Sequence, residues 1–281
     1  PYNPDILDYA MAEDWQGLTA QLGSYQVIFH GEIHNRLSDH LIQAELVHLF
    51  HQQATPFAIG VEWFQTPFQP WVDAYIAGEI DEGELLQHTE YFNRWRYDWR
   101  LLQPVMHYAQ RQQIPVLALN APAELTRQIA REGLDSLSPE QRAQLPDIHP
   151  PQTYHAERLE AFFSQRLGDH DRIDYLISAQ RTWDETMAAN AVRFLRHHPD
   201  HKLLVFAGNF HIGYFEAIPK DMARQLPELK QVTISSGSIE NYRPEFVDHW
   251  VYTRSIKLPD HGKLGAVFDN KTLYIQGITD K

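Results

Sequence analysis

The sequence predicts an α/β protein: a mainly parallel sheet with helices on both faces and a helical insertion. Three observations predict it. Five short apolar runs end near residues 32, 62, 120, 208 and 236. Helical patterns fill the gaps between them, and strands joined by connections of that length pair in parallel. The gap between the third and fourth runs is far longer than one crossover helix needs. It is read as an insertion or lid over residues 122–200 within a single domain of residues 1–281.

In chain order, Tyr25-Gln26-Val27-Ile28-Phe29-His30 is the first run, and Gly31-Glu32-Ile33-His34 follows it. Over 38–53, Leu41, Ile42, Leu46, Leu49 and Phe50 recur at helical spacing, with Ser38 as the expected cap. Pro56 to Val61 form the second run and deliver Glu62 and Trp63. A second helical block spans 67–112 and carries the aromatic and basic cluster from Tyr91 to Trp99. Ile114 to Asn120 are the third run. Helices are expected at 122–133, 138–145, 154–167 and 172–197, broken by the Pro-rich stretch Leu145 to Pro151. Lys202-Leu203-Leu204-Val205-Phe206-Ala207 is the fourth run, and Gly208-Asn209-Phe210-His211 follows it. Near the end, Leu264–Phe268 and Thr272–Gln276 read as a hairpin turning at Asp269-Asn270-Lys271.

Composition bounds the chemistry. Of the 281 residues, 43% are hydrophobic and 12% aromatic, which excludes a disordered chain. A formal net charge of −13 argues against nucleic acid as a partner. There are no cysteines, so thiolate metal sites, thiol catalysis and disulfides are excluded. No apolar run approaches the roughly 20 residues of a membrane-spanning helix. The chain begins at Pro1 rather than Met, which is compatible with a leader removed before this numbering.

The two Gly-x-x-His tetrads carry the strongest chemical signal. A Gly lets the chain turn as it leaves a strand, and the His is then presented at the strand's carboxyl end, where open α/β sheets bind ligands. Glu32, His34, Glu62 and His211 are thereby expected at one edge. Such a set suits a divalent metal such as zinc, manganese or iron, or a Glu–His pair that activates water; fixing of the strand ends is the plainer reading. In the insertion, Tyr154 and His155 follow the Pro-rich loop, with His149 before them and His170 after. Tyr is a ligand of ferric haem and His the commonest one, while a Tyr-His pair early in a helix is otherwise a surface feature. On the helix 172–197, Gln180, Asp184 and Met187-Ala188 share a face. Asp184 either bonds a strand-end group or is a solvated acid beside core residues.

Taken together, Gly31-Glu32-Ile33-His34, Val61-Glu62-Trp63-Phe64, Asn120-Ala121-Pro122, the Ala179–Ala188 helix and Ala207-Gly208-Asn209-Phe210-His211-Ile212 with Ile218-Pro219 resemble the ChaN-like haem-binding proteins. That family lies in the group that includes TraB, Tiki and the erythromycin esterases. The resemblance implies a haem-binding, iron-regulated outer-membrane lipoprotein of Gram-negative bacteria, facing the periplasm or the surface. It implies a role in iron acquisition with an outer-membrane haem transport system. It also implies a homodimer holding two ferric haems face to face, with a Tyr on each iron and a His from the partner. Tyr154 matches the ligand and iron-binding residue, His170 the accompanying His, and His155 is the alternative. In the Tiki and esterase relatives similar Glu and His positions are catalytic. A metal-dependent or His-based hydrolase using Glu32, His34, Glu62 and His211 is therefore the second expectation.

Overall fold

The computed structural model describes residues 17–278 except 19, 54, 168–171, 255, 257, 259–265 and 269–274. Strands β1 (Val27–Glu32), β2 (Phe57–Gln65), β3 (Val116–Asn120), β4 (Lys202–Gly208), β5 (Gln231–Gly237) and β6 (His249–Tyr252) form one sheet in the order β3-β2-β4-β1-β5-β6. All of its pairings are parallel. The five predicted runs are its first five strands. Each is buried almost end to end, which is why it reads as a continuous apolar run rather than an alternating one. The edge strand β6 is half-exposed and carries no such run.

The helices, in chain order, are α1 (Leu37–Gln52), α2 (Gln69–Ala77), α3 (Glu82–His88), α4 (Tyr91–Arg94), α5 (Gln103–Gln112), α6 (Ala123–Glu132), α7 (Pro139–Arg142), α8 (Thr153–Leu167), α9 (Ile173–His197), α10 (Asn209–Ile212) and α11 (Ala217–Gln225). Alternating strand residues split the core in two. Ile28, Ile59, Val61, Leu204 and Phe206 pack with α1, α2 and α5. Val27, Phe29, Leu203 and Val205 pack beneath Met187, Ala188 and Val192 of α9 and Ile218 and Met222 of α11. None of the described helices is long and apolar enough to cross a membrane.

Two local expectations change. Ser38 does not cap α1. Arg36 is the N-cap residue, with no side-chain cap bond, and Asp39 closes the turn by accepting from Ile33 N–H and Arg36 Nε, each at 2.7 Å. The block 67–112 is several helices. Gly78 ends α2 in the left-handed region at φ 77, and an Asp81–Glu84 capping box opens α3. Near the carboxyl end, β7 (Ala266–Phe268) pairs antiparallel with β8 (Ile275–Ile278). The predicted turn and the start of the predicted second strand, Thr272, lie outside the described residues.

This strand order places the site. From β1 the chain crosses over β4 to reach β2, and from β4 it crosses over β1 to reach β5. The helix following β1 (α1) and the helices following β4 (α10 and α11) lie on opposite faces. The carboxyl ends of β1 and β4 therefore border a topological switch point, where such sheets open a crevice.

Candidate functional site

β1 and β4 are neighbours in register, with Gly31 beside Ala207 and Glu32 beside Gly208. The two tetrads interlock there. A Cβ on Gly208 would lie 2.7 Å from His34 Cε1, so the second tetrad's Gly seats the first tetrad's His. A Cβ on Gly31 would strike the side chain of Asn209, so the first tetrad's Gly seats a residue of the second. The glycines are needed for close approach rather than for a turn: Gly208 has φ −56, which any residue adopts.

The structure brings Glu32, His34, Glu62 and His211 together. Glu32 is fully buried at its side chain. It accepts from His34 Nδ1 at 2.9 Å, from Gln43 Nε2 at 2.5 Å and from Trp63 Nε1 at 3.2 Å. Burial works to raise its pKa, but His40, His34 and Gln43 together hold it below the usual carboxylate value. His34 is the accessible member, with 25% of its side chain exposed. Its ring packs on Trp95 and Tyr97, at centroid distances of 4.7 and 5.0 Å. Burial opposes its charged form, but the Glu32 hydrogen bond and the Glu62 charge leave its pKa raised.

Glu62, at the carboxyl end of β2, accepts from Gly208 N–H at 2.7 Å and lies 3.3 Å from His211 Nε2. The other imidazole nitrogen, Nδ1, donates to Asp184 Oδ1 at 2.6 Å. Gln180 Nε2 lies 3.1 Å from the same nitrogen. Burial disfavours the imidazolium, but the two carboxylates outweigh it and push His211 up to about 10. Burial likewise works against the Glu62 carboxylate, and His211 holds it down at about 2. Asp184 also faces Arg181 at 3.3 Å, and Arg181 reaches Asp221 and Glu185 at 2.8 and 3.1 Å. The first reading of the α9 face holds: Asp184 is fully buried and bonds a strand-end group, so it is not a solvated acid, while Met187 and Ala188 pack in the core.

These donors satisfy one another. Among the described residues no group of three or more His, Asp or Glu is arranged to hold a metal ion. The chemistry the arrangement offers is proton transfer. His34 donates Nδ1–H to Glu32, which leaves Nε2 as the acceptor beside Glu62 and Gly208. His211 is a cation held by two acids.

The insertion residues border this network without joining the strand-end set. Tyr154, in the first turn of α8, is 53% exposed, whereas His155 is 3% exposed and its pKa is lowered by burial. His170 lies outside the described residues. His149 bonds Glu185 at 2.9 Å. Beside Tyr154 are Tyr214, 6.2 Å away between ring centroids, and Arg158, over the Tyr214 ring. Phe162, two turns along α8, packs on Phe210 at 4.5 Å. The sequence reading missed Gln43, Trp95, Tyr97, Arg158 and Tyr214. Arg158 and Phe162 could have been found as an i+4 and i+8 row from Tyr154. No local signal points Gln43 or Trp95 at Glu32 and His34.

The fold is thus an open parallel sheet with a Glu/His cluster at its switch point. Residues 18–222 match the model of a family described as haem-binding uptake, Tiki superfamily, ChaN, and the chain belongs to that family. The fold is similar to that of ChaN of Campylobacter jejuni, solved with cofacial haem, with a TM-score of 0.68 at 18% identity over 86% of this chain and 92% of that one. It is also similar to a mutant of the erythromycin esterase EreC in its open conformation, with TM-score 0.51 and 14% identity over 80% of this chain and 73% of that one. The type III effector HopBA1 gives 0.54 and 13% over 91% of this chain and 100% of that one. No curated protein sequence matches the chain. The family supports haem as its ligand.

Proposed function

We propose that this protein takes up ferric haem through the Tyr154 phenol at an interface between two copies of the chain, as part of an outer-membrane haem transport system for iron acquisition. The observation that carries this reading is the exposed Tyr154, set beside a guanidinium and a second tyrosine in a chain of the haem-uptake family. The donor set fits haem. A phenolate is a hard oxygen ligand for ferric iron, Phe215 offers an exposed apolar face, and Arg158 offers positive charge. The bound haem supplies the cargo and its iron; the chain's own residues position it. His155 faces the interior and gives no nitrogen to a ligand on this surface, so the accompanying His is assigned to the partner copy, with His170 the candidate.

Titration with ferric haem tests this. A saturable Soret band with a tyrosinate-type spectrum, altered in Tyr154→Phe, is the expected result. Sedimentation should show haem-promoted dimers, because a ligand bound across an interface favours the assembled state. A haem-loaded monomer would remove the shared site, and absence of saturable binding would remove the function.

The orientation of His34 favours a second reading, a His-based hydrolase. Its Nδ1 is fixed on Glu32, which supports a raised pKa and leaves Nε2 as the atom that would take a proton from water. An ester and peptide screen with His34→Ala and Glu32→Gln tests it. Turnover lost in both variants, with haem binding intact, would establish a catalytic site separate from the haem face.

A further inference from the structure

Among the described residues, no acid forms an ion pair with Arg158, and Glu216 acts on its charge only from a distance. Arg158 lies one turn along α8 from Tyr154, on the same face, because residues four apart stack on a helix. Its guanidinium carbon is 3.8 Å from the centroid of the Tyr214 ring. The half-buried side chain has its pKa lowered by burial. The groups around it are Tyr154, Tyr214, Glu216 and His155. Glu216 is already taken, with both carboxylate oxygens 2.9 Å from Lys220 Nζ.

Three other half-buried or buried arginines behave differently. Arg94 pairs with Glu90 and Glu124, Arg36 with Asp39, and Arg181 with Asp184, Glu185 and Asp221. That is the usual arrangement, since a guanidinium presents a planar fork of donors that matches a carboxylate. Among the described residues Arg158 has a tyrosine face behind it and no carboxylate on its fork.

The backbone around Tyr214 is shaped to hold this arrangement. Tyr214, Phe215 and Ala217 have φ of 61, 56 and 51, so three non-glycine residues within four positions adopt the left-handed region. Such conformations cost energy and persist where the surroundings over-determine them, commonly at ligand clamps. Here Tyr214 N–H donates to the Phe246 carbonyl at 2.6 Å, and the Tyr214 ring packs edge-on against Phe246. The strained turn thus fixes the aromatic plate under Arg158 and leaves Phe215 at the surface.

We propose that Arg158 is the carboxylate-reading residue of the porphyrin site: its guanidinium, backed by Tyr214, forks onto a propionate of the porphyrin whose iron meets Tyr154. This rests on the haem reading above and adds a specificity determinant to it. The residue selects porphyrins that keep a free carboxylate, and its contribution does not need the iron.

The test uses metal-free protoporphyrin IX and its dimethyl ester, followed by porphyrin fluorescence, beside ferric haem followed by absorbance. Wild type should bind the free diacid about 10- to 100-fold more tightly than the diester, the range of a charged hydrogen bond. Arg158→Met should abolish that preference while the folded state, checked by circular dichroism, persists. Arg158→Lys should restore part of it, as a point charge without the fork. A preference that survives in Arg158→Met, or a wild type that never distinguishes diacid from diester, overturns the proposal. If wild type binds ferric haem with the tyrosinate spectrum and either of those results is found, only the role of Arg158 falls. If wild type binds none of the three porphyrins saturably, the haem reading falls and this inference with it.

Discussion

The strand-end cluster and the Tyr154 face use similar side chains in opposite ways. In the cluster, the acids find bases within the chain: Glu32 has His34, Glu62 has His211, and Asp184 has His211 and Arg181. On the Tyr154 face the phenol is exposed, the guanidinium rests on an aromatic ring, and Phe215 points to solvent. Buried polar groups left unpaired are costly, so the fold completes the first region itself. The second region leaves the exposed Tyr154 phenol and the half-buried Arg158 guanidinium without a carboxylate partner among the described residues, and on the proposed reading a ligand completes them. On the proposed readings, the first serves proton transfer and the second serves capture.

The largest expected effect comes from breaking the closed region. Asp184→Ala removes the acid that joins His211 to Arg181, breaking a buried ion network and leaving His211 Nδ1 without its carboxylate. A loss of about 3–5 kcal/mol of stability is expected, read by urea unfolding. Haem affinity of the protein that remains folded should be unchanged. A large change in haem affinity with little loss of stability would mean the two regions are one site.

The pH dependence follows from the same pairings. His211 has its pKa raised from 6.5 to about 10, so the stability it contributes is complete below 6.5 and is lost as pH rises toward 10. Glu62 has its pKa lowered from 4.5 to about 2, so its contribution is complete above 4.5 and is lost as pH falls toward 2. These two groups therefore give maximal support between pH 4.5 and 6.5. His211→Gln should flatten the alkaline arm of a melting-temperature profile. An alkaline arm unchanged in that variant would show that His211 is not the charged partner of Glu62.

Much of this contrast was legible in the sequence, and what was hidden has physical reasons. Strands β1 to β5 could be read because burial on both faces makes them uniformly apolar; β6 could not, because its edge position relaxes that demand. Both tetrads were visible, but the role of their glycines was not. That Gly208 seats His34 follows only once β1 and β4 are neighbours, a fact of strand order rather than of local pattern. Gln43, Trp95 and Tyr97 join the cluster through tertiary packing alone. Tyr154 stood out as a residue type. Arg158 lies at readable helical spacing from it, but its lack of a carboxylate partner is a property of the fold.

Gly208→Ala sharpens the seat itself. The added methyl would meet the His34 ring at 2.7 Å, and that ring is itself packed on Trp95 and Tyr97, so it has to shift. Overpacking of this kind costs about 1–3 kcal/mol. The His34 imidazole resonances should move, and any turnover in the ester screen should fall with them. Full stability and an unmoved ring would show that the cleft has room at this point.

The smallest stability effect should come from Tyr154→Phe. The phenol is more than half exposed, and an exposed substitution away from caps and core usually changes stability by less than about 0.5 kcal/mol. The same variant should lose the tyrosinate-type spectrum of the ferric haem complex. That pairing of outcomes is what the comparison demands: a residue that contributes almost nothing to the empty fold and decides the chemistry of the loaded one. A substantial loss of stability in Tyr154→Phe would place the phenol among the groups the fold has already used. The open face would then have to be sought around Phe215 and Arg158 instead.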